Sequence, residues 1–399
     1  MRVLKGIFAK FLFLLIIVGV LYFLKSNVGG INNITGLTVF NNDNQDNASG
    51  ENVNETVDKL VYENISLPNV YFCPRYNCSG VMVDLINSAD ESVHCALFDL
   101  DLYEIIGALD IKYNNGIDVK IVVDNDNYKE IKKSYGKELG LGMSENNGNN
   151  EENKNNENKT NENKIDGFIK QDNSNQLSHN KFCVVDGKIV ATGSFNPTFN
   201  DNNKNNNNLA VITSAYLSEN YEDEFDELWN GYFGKGKKEK QNKVKYPKLI
   251  SAEPNLSVEN YFCPEDNCEE HVLDVLNQAN KSIRFMLFSF TSDAIGDLLT
   301  EKQSQGIKII GVVEKKQNTN KYSEYFKLTD AGIDIEYDAN PYNLHHKVFI
   351  IDDEIVITGS YNPTNAGDNK NDENIIILHN KQVAEKFIEE FLVVSGDVS

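Results

Sequence analysis

Hydrophobic residues first cluster near the start of the chain, where 11–24 is an unbroken apolar run behind Arg2, Lys5 and Lys10. Counted from Ile7, with Lys10 snorkelling, the stretch reaches about 18 residues, just enough to span a bilayer. The pattern predicts an uncleaved signal-anchor helix over 1–25. A cleaved signal peptide and a buried core helix are the alternatives. Basic residues before the run and only Lys25 just behind it predict a cytoplasmic N-terminus. The rest of the chain would then lie outside the cytoplasm, tied to the cell membrane by a single pass. Residues 26–68 are rich in Asn, Asp and Gly and predict a flexible tether.

Beyond the tether the pattern alternates between helical and strand periods. Apolar spacing predicts a helix over 81–89, a strand over 92–100, a helix over 102–113 and a strand over 119–124. A strand over 179–185, its hairpin partner over 188–192 and a helix over 221–229 follow. The same order then recurs, ending in a helix from about residue 382 to 393. The repetition is literal in places. Tyr71-Phe72-Cys73-Pro74 returns as Tyr261-Phe262-Cys263-Pro264, and Leu97-Phe98 as Leu287-Phe288. Later, Thr192-Gly193-Ser194-Phe195-Asn196-Pro197 returns as Thr358-Gly359-Ser360-Tyr361-Asn362-Pro363. The offset falls from 190 to 166 residues between these blocks, so the first copy carries an insertion. The Asn/Glu/Lys tract around 144–170 fits it and predicts disorder. The chain thus reads as repeat 1 over 69–234, a Lys-rich linker over 235–257 and repeat 2 over 258–399. The predicted class is α/β, with a mixed sheet between helices in each half.

Composition narrows the partners. Lys+Arg is 38 against Asp+Glu 60, a net charge of −22 over 399 residues. That disfavours coating nucleic acid through bulk charge, though not a local basic groove. Asn is unusually common at 56 residues and Arg occurs only at Arg2, Arg75 and Arg284, which looks like compositional bias. Cys73/Cys78 and Cys263/Cys268 share one spacing at the same place in both repeats. Two local disulfides fit an exported chain, and a four-Cys zinc site joining the repeats is the alternative. Cys95 and Cys183 lie on apolar strands and read as free, buried, inert thiols.

The candidate chemistry lies in two H-x-K-x4-D blocks, His179/Lys181/Asp186 and His345/Lys347/Asp352. Each is followed by G-S-x-N, with Ser194 and Asn196 in one copy and Ser360 and Asn362 in the other. On a strand, a His and a Lys two apart share a face. Imidazole serves as nucleophile or acid/base near neutral pH, while Lys and Asn neutralise and hydrogen-bond phosphate oxygens. Two such blocks facing each other supply what a phosphodiester needs: an attacking group, an acid for the leaving oxygen, and cations for the rest. His346 points to the opposite strand face. His94, His271 and His379 match no motif and read as structural or solvated.

This arrangement resembles the phospholipase D superfamily from about Tyr71 to the end of the chain. The resemblance implies two repeats related by a pseudo-two-fold, with one active site between them. It implies a phosphohistidine intermediate and no metal or cofactor. His179, Lys181, Asp186, His345, Lys347, Asp352 and Glu373 would be catalytic, and the Ser and Asn pairs would bind phosphate. Glu373-Asn374 matches the family's Glu-Asn after the second motif, whereas repeat 1 has Asn207-Asn208 there. If each copy supports its own histidine, Glu373 serves His345, making it the resident acid and leaving His179 as nucleophile. The expected function is a membrane-anchored phospholipid phosphodiesterase, hydrolysing or transferring head groups, with the bilayer as partner. No obligate protein partner is implied. A nuclease of the same family, acting on DNA or RNA, and a degenerate binding protein are the alternatives.

Overall fold

A computed structural model describes residues 60–138, 167–173, 175–234 and 243–396. The predicted anchor over 1–25 lies outside them, as does most of the predicted insertion. Among the described residues no helix is long and apolar enough to cross a membrane.

Each repeat builds one mixed sheet. In repeat 1 the order is Asn69–Cys73, Asn207–Thr213, Ile189–Gly193, Lys181–Val185, Ser92–Leu97, Asp118–Val123 and Ile169–Gln171. The last three run parallel to one another, and the other neighbouring pairs are antiparallel. Repeat 2 repeats this plan from Ser257–Cys263 through Glu373–His379, Ile355–Gly359, Lys347–Ile351, Ser282–Leu287 and Lys308–Val313 to Asp334–Tyr337. Its sheet has nine strands because Val61–Glu63 and Lys248–Ser251 add to one edge.

Strand alternation sorts the core into three. On Lys181–Val185, Phe182 and Val184 join a cluster shared by both repeats, while Cys183 and Val185 join a cluster private to repeat 1. Repeat 2 has its own private cluster around Phe285, Phe290 and Phe349. Helices Cys78–Asn87 and Tyr103–Asn114 cover the private face of the first sheet, and Cys268–Asn277 and Asp293–Ser304 that of the second. Helices Ala215–Trp229 and Lys381–Ser395 pack into the shared cluster instead. There Phe182 meets Phe262 and Phe72 meets Phe387, so aromatic side chains join the halves. Burying an aromatic ring contributes about 1.5–3 kcal/mol, so the repeats are held as one body. A polar latch sits at its centre: Thr192 Oγ1 donates to Asn374 Oδ1 and Thr358 Oγ1 to Asn208 Oδ1, both at 2.9 Å.

Several sequence expectations need correction. Residues 61–63, assigned to the tether, form a strand parallel to Leu249–Ser251, and Ile65 is fully buried behind it. Lys248–Ser251, assigned to the linker, is that strand's partner. Phe168 and Ile169, assigned to the insertion, are buried on the first sheet. Short apolar patches inside polar tracts suffice when a sheet edge is available to pair with. The Cys73–Cys78 and Cys263–Cys268 disulfides are present, which leaves no thiolates there for zinc. Cys95 and Cys183 are not free thiols: they sit directly opposite on neighbouring strands, with Cα atoms 4.1 Å apart, and are disulfide-bonded. This bridge closes 88 residues, worth about 4.5 kcal/mol in the chain-entropy account.

Candidate active site

Each histidine lies two residues ahead of the strand that carries its motif, Lys181–Val185 or Lys347–Ile351. Neither reaches the site by strand alternation; each is held by the other repeat. Ser178 bridges Asp372 and Leu344 bridges Asn206. The His179 amide donates to the Asp372 carbonyl at 2.9 Å, and the His345 amide to the Asn206 carbonyl at 2.8 Å. The next residue in each case is the one that follows the opposite repeat's G-S-x-N motif, Glu373 or Asn207.

The side chains complete this exchange. His179 Nδ1 lies 2.7 Å from Glu373 Oε2, and His345 Nδ1 lies 2.8 Å from Asn207 Oδ1. The expectation that each copy supports its own histidine is therefore overturned: support crosses the pseudo-dyad. A carboxylate or amide oxygen can only accept, so each Nδ1 carries the proton and each Nε2 keeps its lone pair. Lys181 Nζ donates to the His179 carbonyl at 2.6 Å and Lys347 Nζ to the His345 carbonyl at 2.7 Å. All four are buried.

Two phenylalanines went unassigned although they persist in the repeat. The Phe98 and Phe288 rings stand edge-on to His179 and His345, each 5.0 Å between centroids. The same rings face Lys181 and Lys347 at 5.0 and 4.8 Å. An aromatic wall fixes the imidazole and strips water from the ammonium.

Burial and the two lysines set the titration. Burial lowers the His179 pKa to about 4, with Lys181 and Lys347 adding to the effect and Glu373 opposing it. Burial also lowers His345 to about 4, with Lys347 and Lys181 adding and Asp201 opposing. Lys181 is depressed by burial to about 8, and Lys347 well below its ordinary value by burial and by Lys181. For Glu373, burial favours the neutral form, but the His179 contact and Lys181 outweigh it and hold the carboxyl below its usual range. The resting site thus holds neutral imidazoles beside crowded cations, an arrangement that an anion would stabilise.

This has a consequence for stability. Both histidines have folded pKa values near 4 against 6.5 unfolded, so the unfolded chain binds more protons between those pH values. Stability is expected to fall as pH drops from about 6.5 to about 4, by up to about 3 kcal/mol per histidine. Urea unfolding at pH 7 and pH 4.5 checks this. A midpoint unchanged over that range would contradict the buried neutral imidazoles. Inorganic phosphate is expected to offset part of the loss.

The motif aspartates do not join the cluster. Asp186 and Asp352 sit at the far end of each strand, at φ 53° and 54°. Their carboxylates accept backbone amides of residues 90–92 and 280–282 at 2.7–3.0 Å, apart from one longer Asp90 contact. Their part is to pin the hairpin to the neighbouring strand, which corrects the catalytic assignment. Ser194 Oγ accepts the Asn208 amide at 3.0 Å and Ser360 Oγ the Asn374 amide at 2.9 Å. These serines hold the strand bearing the histidine's support and are already engaged. Gly193 is required beside Ser194: its φ is 143°, and a Cβ there would lie 2.4 Å from the Asn208 carbonyl. Asn196 reaches the site through Asp201, which accepts both its backbone and side-chain N–H at 2.9 Å. Asn362 Oδ1 is buried without a partner among the described residues. His346 is fully buried between Asn208 and Glu390, apart from the His345 contacts. His94 pairs with Glu222 and His379 with Glu259, while His271 stacks on Tyr261. Among the described residues no group of His, Cys, Asp and Glu is arranged to hold a metal ion.

The chain is similar to several known proteins. The family described as "Cardiolipin synthase, PLD-like domain" matches residues 82–229 and 272–394, one segment per repeat. A phospholipase D of Rickettsia typhi is 33% identical over 141 residues, spanning 35% of this chain and 69% of the relative. The human mitochondrial cardiolipin hydrolase is 31% identical over 120 residues, spanning 30% of this chain and 48% of that protein. The crystal structure of phosphatidylserine synthase from Haemophilus influenzae superposes with a TM-score of 0.58 at 13% identity, covering 82% of this chain and 86% of that one. With both repeats matched and a close relative covered over most of its length, the chain belongs to the phospholipase D superfamily of phosphodiesterases.

Proposed function

We propose that this chain hydrolyses or transfers the head-group phosphodiester of a phospholipid through a covalent phosphohistidine. The observation that carries the reading is the buried reciprocal cluster of His179, Lys181, His345 and Lys347, with both Nε2 lone pairs free of partners among the described residues. A phosphodiester anion entering between the lysines offsets their mutual repulsion and raises both imidazole pKa values. His179 Nε2 attacks phosphorus and the bond to the head-group oxygen breaks. His345, protonated when the anion binds, gives its proton to that oxygen. Water or an alcohol then loses a proton to His345 and attacks phosphorus. The P–N bond breaks and its electron pair returns to His179.

The assignment of His179 as nucleophile rests on charge rather than on resting basicity. Positive charge grows on the attacking imidazole as the P–N bond forms, and Glu373 lies in direct contact to stabilise it. His345 Nδ1 meets a neutral amide at 2.8 Å and a carboxylate only at 3.4 Å, so it releases its proton more readily.

Three things favour a lipid over nucleic acid. The relatives compared by sequence are a phospholipase D and a cardiolipin hydrolase. The net charge of −22 opposes a polyanion. The N-terminal apolar run would hold the catalytic unit against a bilayer, on the extracytoplasmic side of the cell membrane. Labelled phospholipid vesicles and labelled single- and double-stranded nucleic acid, offered in parallel in EDTA, test the reading. Head-group release with intact nucleic acid is expected. Nucleic acid cleavage with intact lipid makes the chain a nuclease, and no turnover on either makes it a binding protein.

A further inference from the structure

Repeat 1 lacks the glutamate that repeat 2 presents at 373, yet a carboxylate still reaches the histidine it should support. Asp201 Oδ2 lies 3.4 Å from His345 Nδ1, and Asp201 is 4% exposed. It projects from the short helix Phe199–Asn203, which follows the first G-S-x-N motif. We infer that Asp201 is a relocated acid partner for His345: a positioning residue that replaces, from this helix, the carboxylate Glu373 supplies to His179.

The two repeats make the exchange visible. The counterpart of Asn207 is Glu373, and the counterpart of Asp201 is Gly367. Each repeat therefore has one acid across the two positions, placed differently. A Cβ on Gly367 would lie 2.4 Å from the Asn362 carbonyl, so repeat 2 has no room for a side chain there. The same asparagine serves the carboxylate in both repeats. Asn205 Nδ2 donates to Asp201 Oδ1 at 2.6 Å, and Asn371 Nδ2 faces Glu373 Oε1 at 3.4 Å. Asn207 is itself fixed, with Nδ2 donating to the Asp201 and Asn205 carbonyls, so its Oδ1 is held toward His345. The imidazole thus lies between an amide oxygen and a carboxylate.

The charged groups acting on His345 are Asp201, Lys347 and Lys181. Asp201 in turn helps to raise the carboxyl groups of Asp99 and Asp101, for which burial is the larger cause. Among these lysines, Asp201 is what keeps His345 able to take up a proton. Burial opposes its charge, but the His345 contact and the amides it accepts outweigh that and hold its carboxyl well below the usual range.

This inference rests on the proposed role of His345 as proton donor, so its test reads the imidazole directly as well as turnover. In the full chain with 15N-labelled histidine, the parent His345 is expected to titrate near 4. Asp201→Asn is expected to lower that midpoint by about one unit or more, with His179 unmoved as internal control. Adding Asn207→Glu to an Asp201→Gly background copies repeat 2 and is expected to restore it. Turnover should follow: about a tenfold or greater loss in Asp201→Asn with a poor leaving group, much less with a good one, and recovery in the double variant. An unmoved His345 midpoint in folded Asp201→Asn overturns the inference. If Asp201→Asn does not fold, the double variant decides alone. Parental titration supports the inference; a lowered midpoint or a second unfolded protein overturns it, because a purely structural Asp201 has no substitute at 207. Midpoint shifts in a parent without phosphodiesterase activity would instead retain the inference and sink the proposed function.

Discussion

His179→Ala is expected to abolish both turnover and the covalent phosphoryl-enzyme, because His345, protonated once the anion binds, has no lone pair left to attack phosphorus. His345→Ala should behave differently. It loses the proton for the leaving oxygen and the base that activates water, but keeps the attacking imidazole with its Glu373 contact. With a substrate whose leaving group needs little protonation, it should form the phosphoenzyme and then stall. Steady-state turnover should fall on the order of 10²- to 10⁴-fold. Acid-labile label retained after a short incubation separates the two variants. Label on His179→Ala and none on His345→Ala would reverse the assignment.

Glu373→Gln is the second large effect, and its direction follows from the exchange across the pseudo-dyad. Were Glu373 the support of His345, the variant would slow release of the leaving group and spare attack. Because Glu373 contacts His179 at 2.7 Å, the defect should lie in formation of the phosphoenzyme, even with a good leaving group. The variant loses the carboxylate that stabilises the charged imidazole and leaves its orientation less well fixed. A loss on the order of 10²- to 10⁴-fold in that step is expected, as when a buried acid behind a catalytic histidine becomes an amide. Rapid-quench measurement of the first turnover checks it. An unchanged burst followed by slow steady state would place the carboxylate behind the other histidine after all.

The buried positions also show why the aspartates of the motif mislead. An Asp that recurs with His and Lys looks like a third member of a catalytic set. In the fold it is separated from them by the length of a strand, because it follows the last residue of Lys181–Val185 while the histidine precedes the first. Its recurrence reflects a turn that needs three backbone amides capped, which a repeat preserves as faithfully as chemistry. Phe98 and Phe288 illustrate the reverse case. They recur too, yet apolar residues after a strand read as core, and only the docked histidines reveal them as walls of the site.

What the chain determines by itself is whatever depends on neighbours along it. The duplication, the strand and helix periods, the paired cysteines five apart and the identity of the His and Lys pairs all follow from local spacing, while the choice of disulfides over zinc at those cysteines does not. What it leaves open is which distant partners meet. Cys95 and Cys183 become a disulfide only because two strands are neighbours in register. Val61–Glu63 becomes a strand only because an edge of the other repeat's sheet is there to receive it. Whether Glu373 serves His345 or His179 cannot be read from two copies of one motif, since a pseudo-two-fold allows support within a repeat or across it. Docking decides: the halves bury one shared aromatic core, and this places each motif's follow-on residue beside the opposite histidine. Asp201 belongs with these. Its acid character is local, but its meaning depends on His345 arriving 3.4 Å away from the other half of the molecule.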